Sequence, residues 1–394
     1  MLIHANRDEL LRLTKQAALA VPKSTELPQL RGIHMEADAQ RSMLTLTATN
    51  QEIAIQTSMS AVVEETGSMV IDAELMPSIL ALLPEENLDM ELEDNNQLTV
   101  SSGATRYHLS VSSGEKYPMP ELPFPDDTVS VSGLWSLVRQ TAFVAMEEED
   151  KAPLMSCIKL ALGLDGLKGI STNGYCIMEA RGDKDCKGQS ELLVPARSLA
   201  VLAALSKDSD VYEMGLAGKS VVFWNGTMLF SARLMEGSYP NTGVFFDKFQ
   251  AKYTVNLAAE ELTAAVVSVS VVAADNPRME LCFGEHEIRV SAETDKGRAA
   301  IPVKALVLSA PDAPFYYNPK ILLKYLKLLH GSVTLDFDAG GLLAVRGGPM
   351  QYIQSPLRPP KPAVQPEKAV QPKKTAQPKK ATRPKKAASP KKAA

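Results

Sequence analysis

The run Glu147-Glu148-Glu149-Asp150 is the densest group of carboxylates in the chain and comes nearest in type to a metal site. Contiguous carboxylates point in several directions and do not converge on one ion, so the run reads as a solvated helix end. The four cysteines (Cys157, Cys176, Cys186, Cys282) and five histidines (His4, His34, His108, His286, His330) form no CxxC pair and no ligand-spaced cluster. They are expected to be neutral thiols and ordinary imidazoles, with no metal and no cofactor. The chain contains no GxxxxGK[ST] phosphate loop, no GxSxG elbow and no HExxH pair. It is therefore expected not to be an enzyme. The charge that is organised is cationic. Lys320, Lys324 and Lys327 fall at i, i+4 and i+7, one stripe of a helix. Residues 359–394 hold eleven Lys/Arg and a single acid, Glu367. Such chemistry is electrostatic and directed at a polyanion.

The net charge of −4 hides two populations. Outside 359–394 the chain has 31 basic and 45 acidic residues, an acidic body with a basic tail. Hydrophobic residues make up 45% and charged residues 22%, which fits a globular body. No apolar stretch approaches the ~18 residues of a membrane span, so no membrane partner is expected. The start, MLIHANRDELLRL, lacks the pattern of a signal peptide, and a cytoplasmic location is expected.

Elements that would position these charges come from internal repetition. LTLTATNQEIAIQTSM (44–59) resembles LKGISTNGYCIMEARG (167–182) and, more weakly, EIRVSAETDKGRAAIPV (287–303). MVIDAELMPSILALLP (69–84) matches LLVPARSLAVLAALS (192–206) and FYYNPKILLKYLKLLH (315–330). LTVSSGATRYHLSVSSGEKYP (98–118) matches VVFWNGTMLFSARLMEGSYP (221–240), and LLAVRGGPMQYIQSPLRP (342–359) closes the third set. Thr49-Asn50 and Thr172-Asn173 stand 123 positions apart, and Tyr117-Pro118 and Tyr239-Pro240 stand 122 apart. An offset that holds across separate blocks marks a duplicated unit.

Each unit reads as helix, strands, helix, strands. Asn6 caps a helix over 7–19, with Glu9 completing a capping box. On that helix Leu10, Leu13 and Ala17 share one side, and Arg7, Arg12 and Lys15 the other. Leu44 to Ala48 alternate as in a half-buried strand. A second helix is predicted near 73–83 with Pro77 in its first turn. In the third unit, Asn318-Pro319 starts a helix that Gly331 ends. Linkers are read at 118–127 (PMPELPFPDD) and 245–253 (FFDKFQAKY). The Pro/Lys/Ala repeat after Arg358 has too little apolar surface to fold and is expected to be disordered. The resulting domains are 1–121, 128–246 and 252–358, with a tail at 359–394.

STNGY (171–175), LVPARSLAVLAAL, SARLMEGSYPN (231–241) and QSPLRP (354–359), in this order over residues 1–358, resemble the β subunit of bacterial DNA polymerase III. That resemblance implies an α+β fold of three repeated DNA-clamp domains, each with two helices packed on antiparallel sheets. Two chains would close head to tail into a ring. It implies a sliding clamp, a processivity factor whose partners are double-stranded DNA, a second copy of itself, the replicative polymerase subunit, the clamp loader and other clamp-motif peptides. The residues it places against DNA are Arg7, Arg12, Lys15, Lys23, Arg139, Arg197, Lys207, Lys320, Lys324 and Lys327. The partner-peptide groove it implies joins Met155, Thr172, Gly174, Tyr175, Cys176, Ile177, Pro240, Val244 and Phe245 to Ile353, Ser355, Pro356, Leu357 and Arg358. The dimer interface it implies uses Tyr107 and Leu109 of one chain and Val271 and Val272 of the other. The chain departs from the family at Tyr175-Cys176, where His-Arg is frequent, at Val244 for Arg and at Ser355 for Met. The basic tail is a further departure and looks like a linker-histone tail. It supports a second reading, a chromatin-like DNA compactor acting through that tail.

Overall fold

The computed structural model describes residues 1–93, 95–145, 152–182, 184, 186, 188–347 and 350–360. The acidic run 147–150 and all of the tail from Lys361 lie outside the described residues. Seven α-helices occur among them: α1 (Arg7–Ala18), α2 (Leu75–Leu80), α3 (Leu134–Thr141), α4 (Ala196–Leu205), α5 (Gly243–Lys248), α6 (Ala259–Val272) and α7 (Pro319–Leu326). Six of them pack in pairs, α1 with α2, α3 with α4 and α6 with α7. This is the repeated two-helix unit that the sequence predicts.

Local chemistry explains the helix ends. The Asn6 side chain accepts from the Glu9 backbone N–H at 3.0 Å, and Asp8 and Glu9 at the start with Lys15 in the last turn complement the helix dipole. In α2 the Asp72 carboxylate accepts from the N–H of Leu75 at 2.7 Å, and Pro77 is the third residue, where no intrahelical N–H is needed. The Asn318 side chain accepts from Lys320 N–H at 3.0 Å. α7 stops at Leu326, one turn before Gly331. Gly331 sits at φ +72° and gives its N–H to Glu260 at 2.9 Å, so it ties the exit of α7 to the start of α6 instead of ending the helix. The segment read as a linker at 245–253 begins inside α5, a helix with no buried residue.

Antiparallel sheet makes up the rest. One sheet has five strands, with Thr105–Ser110 at one end. A second has nine strands and runs from the first repeat into the next through the pairing of Ile53–Ser60 with Met228–Arg233. A third has twelve and crosses the next seam through the pairing of Cys176–Arg181 with Met350–Gln354. One apolar core spans both of the first two repeats, and a second fills the third repeat.

The repeated Thr-Asn and Tyr-Pro pairs build the same device twice. Thr49 Oγ1 donates to Ile53 O at 2.7 Å, and Thr172 Oγ1 donates to Cys176 O at 2.8 Å. Asn50 Oδ1 accepts from the N–H groups of Glu52 and Ile53, and Asn173 Oδ1 from those of Tyr175 and Cys176. The Tyr117 hydroxyl accepts from Thr49 N–H at 3.2 Å, and the Tyr239 hydroxyl from Thr172 N–H at 3.1 Å. Each turn needs a left-handed residue, Gln51 (φ 73°) in the first and Gly174 (φ 82°) in the second. Burial pushes the Tyr117 hydroxyl up to about 12 and raises that of Tyr239, so both stay neutral. Tyr239→Phe leaves the buried Thr172 N–H without an acceptor and is expected to cost about 1–3 kcal/mol. Tyr117→Phe should cost a similar amount, as measured by urea unfolding.

Candidate functional site

The cations predicted to face a polyanion sit on or beside α1, α3, α4 and α7. Arg12, Lys15 and Lys23 are exposed, whereas Arg7 is half-buried and donates to Leu83 O at 2.6 Å beside Asp8. Arg12 lies 3.1 Å from Gln16 and 3.8 Å from Glu9. Arg139 stacks over the Trp135 ring at 5.0 Å. Arg197 at the start of α4 reaches Glu52 at 2.5 Å across the seam between the first two repeats. Lys207 is exposed just beyond α4. Lys320, Lys324 and Lys327 are all exposed, and the Lys320 amine also donates to Ala274 O at 2.9 Å. The stripe on α7 is therefore a feature of the fold. Arg7, Arg12, Arg139 and Arg197 each contact a neighbouring side chain or carbonyl. α2 and α6 carry no Lys or Arg on any face.

At the second seam, Ile177 pairs with Ile353 across the sheet, and the Ser355 N–H donates to Tyr175 O at 2.8 Å. The bond from Thr172 N–H to the Tyr239 hydroxyl brings the Tyr239-Pro240 turn to the same place. A cavity of about 210 Å³ opens between them. Ten predicted residues line it: Met155, Thr172, Gly174, Tyr175, Cys176, Ile177, Pro240, Phe245, Ile353 and Ser355. Val244, Pro356, Leu357 and Arg358 are not among the lining. The Leu357 N–H donates to Tyr316 O at 2.7 Å, which draws the chain end toward the strand Phe315–Tyr317. Asn241, Thr242 and Leu342 line the cavity and were not predicted. The first two follow directly on Pro240, whereas Leu342 comes from a turn remote in sequence.

None of the lining residues is charged. Burial pushes the Cys176 thiol up to about 12, so it is a neutral, apolar wall. Tyr175 and Phe245 remain 64% and 49% exposed, an unusual amount of free aromatic surface around one concavity. The arrangement suits apolar anchoring of a ligand and has no nucleophile or base poised for catalysis. At the first seam Ala54 stands opposite Ser231, where the second has Ile177 opposite Ile353. Two strands beyond Met228–Arg233 in the same sheet, Pro125 of the linker covers Gly215, whose added Cβ would stand 2.5 Å from the proline ring.

The predicted interface residues fall on two surfaces. The strand Thr105–Ser110 bonds to Gln97–Ser102 along one side only. Its Tyr107 and Leu109 are half-buried against the core of the first repeat. Val271, next to last in α6, has 76% of its surface exposed, and Val272 packs against the third repeat's core. No pattern in the sequence singles out Val267 on α6, Leu75 at the start of α2 or Leu82 just past its end, all large apolar side chains left in solvent. Residues 297–304 of the long strand Gly297–Ser309 also pair on one side only, with Glu287–Thr294.

The model of the DNA polymerase III beta subunit N-terminal domain matches residues 1–123, and that of the central domain matches 128–241. The Beta sliding clamp of Synechococcus elongatus is 27% identical over 319 residues, covering 77% of this chain and 81% of that protein. That of Streptomyces coelicolor is 25% identical over 359 residues, covering 88% and 94%. The DNA polymerase sliding clamp from Bacillus subtilis superposes with a TM-score of 0.84 at 20% identity, covering 91% of this chain and 99% of that one. The DNA polymerase III beta subunit of Thermotoga maritima gives a TM-score of 0.82 at 18% identity, with 91% and 100% covered. The two matched domains account for more than half of the residues, and the chain belongs to the DNA polymerase III beta subunit family, the beta sliding clamps.

Proposed function

We infer that this chain is a DNA sliding clamp that does no bond chemistry and holds the replicative polymerase on duplex DNA. In this reading the domains are 1–121, 128–246 and 252–358, which the family matches at 1–123 and 128–241 support. Two copies close head to tail, with the free edge of Thr105–Ser110 in one chain set against the free edge at 297–304 in the other. Sheet edges that lack partners favour such strand addition. Tyr107, Leu109, Val271 and Val272 form the apolar centre of the contact, and Leu75, Leu82 and Val267 extend it. The observation that carries the reading is the duplicated Thr-Asn turn with its tyrosine bond, because a ring of similar units needs the unit to repeat.

A clamp must hold DNA without stopping on it. Phosphate contacts are blind to sequence and allow sliding. The ten predicted cations, led by the stripe Lys320, Lys324 and Lys327, would supply these contacts, while the acidic remainder of the body disfavours DNA on other surfaces. The cavity at the second seam would receive short apolar peptides of the polymerase, the clamp loader and other partners. Residues 359–394 would add nonspecific contacts to DNA backbone.

Light scattering is expected to give twice the chain mass, and Val271→Asp should shift the protein toward monomer at micromolar concentration. A monomer in the unaltered protein at every concentration would contradict the ring. Phe245→Ala should weaken a partner peptide about tenfold by fluorescence anisotropy, with unchanged thermal unfolding. Truncation after Arg358 should make DNA binding less salt-dependent, lowering the log–log slope by about 0.9 for each phosphate that the tail had neutralised. An unchanged slope would remove the tail from DNA binding.

A further inference from the structure

α5 separates two cavities at the second seam. The first is the uncharged groove described above. The second is larger, about 570 Å³, and carries Arg181, Lys184 and Arg346 around a floor that includes Met350 and Phe249. The two adjoin: Ile353 lines both, and the neighbouring residues Phe245 and Phe246 of α5 line one each. Their charge differs, because among the described residues the second lining has three cations and no acid. Arg346 is joined at 2.9 Å to the buried carboxylate of Asp336. Arg181 and Lys184 are exposed. The acids near them are Glu179 on the same strand, Asp247 on α5, Asp165, which lies within electrostatic reach of Arg181, and Asp183 and Asp185, which flank Lys184 in sequence and lie outside the described residues.

We propose that this second cavity is a cationic shelf that receives the acidic flank of a linear peptide whose apolar side chains fill the groove. The proposal rests on the peptide-groove reading and adds a charge requirement to it. An uncharged groove offers a partner's carboxylate nothing, whereas Arg181 and Lys184 stand where a chain leaving the groove past α5 would pass. Ile177 and Arg181 are four residues apart on one strand, about 13 Å at 3.3 Å per residue. An extended peptide covers that distance in about four residues, so the acid belongs roughly four positions from the apolar anchor. Exposed ion pairs add modestly to affinity and are screened by salt, which sets the shelf apart from the groove.

The test uses fluorescein-labelled peptides with a Leu-Phe pair, a spacer of about four residues and either two glutamates or two serines, built in both directions. In one direction the glutamate peptide should bind about fivefold tighter than its serine twin at low salt. That gain should vanish at high salt and in the Arg181→Ala/Lys184→Ala variant, while the serine peptide binds both proteins alike. Equal binding of glutamate and serine peptides in both directions, or a gain that survives the double variant, overturns the shelf and leaves the groove standing. Failure of every Leu-Phe peptide to bind, with Phe245→Ala changing nothing, removes the groove and the shelf with it.

Discussion

The edge of a β-sheet is a row of amide and carbonyl groups that must find partners or face water. This chain settles two such edges internally. Ile53–Ser60 takes Met228–Arg233, and Cys176–Arg181 takes Met350–Gln354, so the sheet of one repeat runs into the next. The seams are main-chain hydrogen bonds and are therefore insensitive to side-chain identity, which is how a fold persists at 18–20% identity to solved clamps. Among the described residues, the outer edges at Thr105–Ser110 and at 297–304 stay unpaired. In the proposed dimer, their pairing with a second copy is the step from a row of similar units to a ring.

The two seams share a backbone plan and differ in what side chains do with it. At the first, Ala54 and Ser231 are small, and the linker lies further along the sheet, over Gly215, with Phe124 edge-on to Trp224 at 5.5 Å. At the second, Ile177 and Ile353 present apolar surface, and the linker begins as α5, which leaves a cavity on either side. The groove at the second seam thus lies beside a linker that adopts helix, whereas prolines hold the first linker extended against the sheet.

Much of this was legible in the sequence because its causes are local. The Thr-Asn turn is fixed by bonds from Thr172 and Asn173 to residues two to four positions on, so its residue types recur with the repeat. The stripe of Lys320, Lys324 and Lys327 follows from helical periodicity alone. What was not legible depends on distant partners. The end of α7 is set by a tight last turn, and Gly331 serves Glu260, 71 residues away. Pro356, Leu357 and Arg358 leave the cavity because the Leu357 N–H bonds to Tyr316 O. α5 buries nothing and so carries no amphipathic signature in the sequence. Leu342 and the apolar residues Leu75, Leu82 and Val267 lack any local mark that separates them from core.

If the grip on DNA comes from encirclement, it must depend on the topology of the DNA more than on its sequence or length. The decisive measurement is retention on a closed duplex circle after loading, followed by a single cut at one site. The protein is expected to stay on the intact circle through a high-salt wash and to be released when the circle is cut. Equal retention on cut and intact DNA would contradict encirclement and favour binding through the basic tail alone.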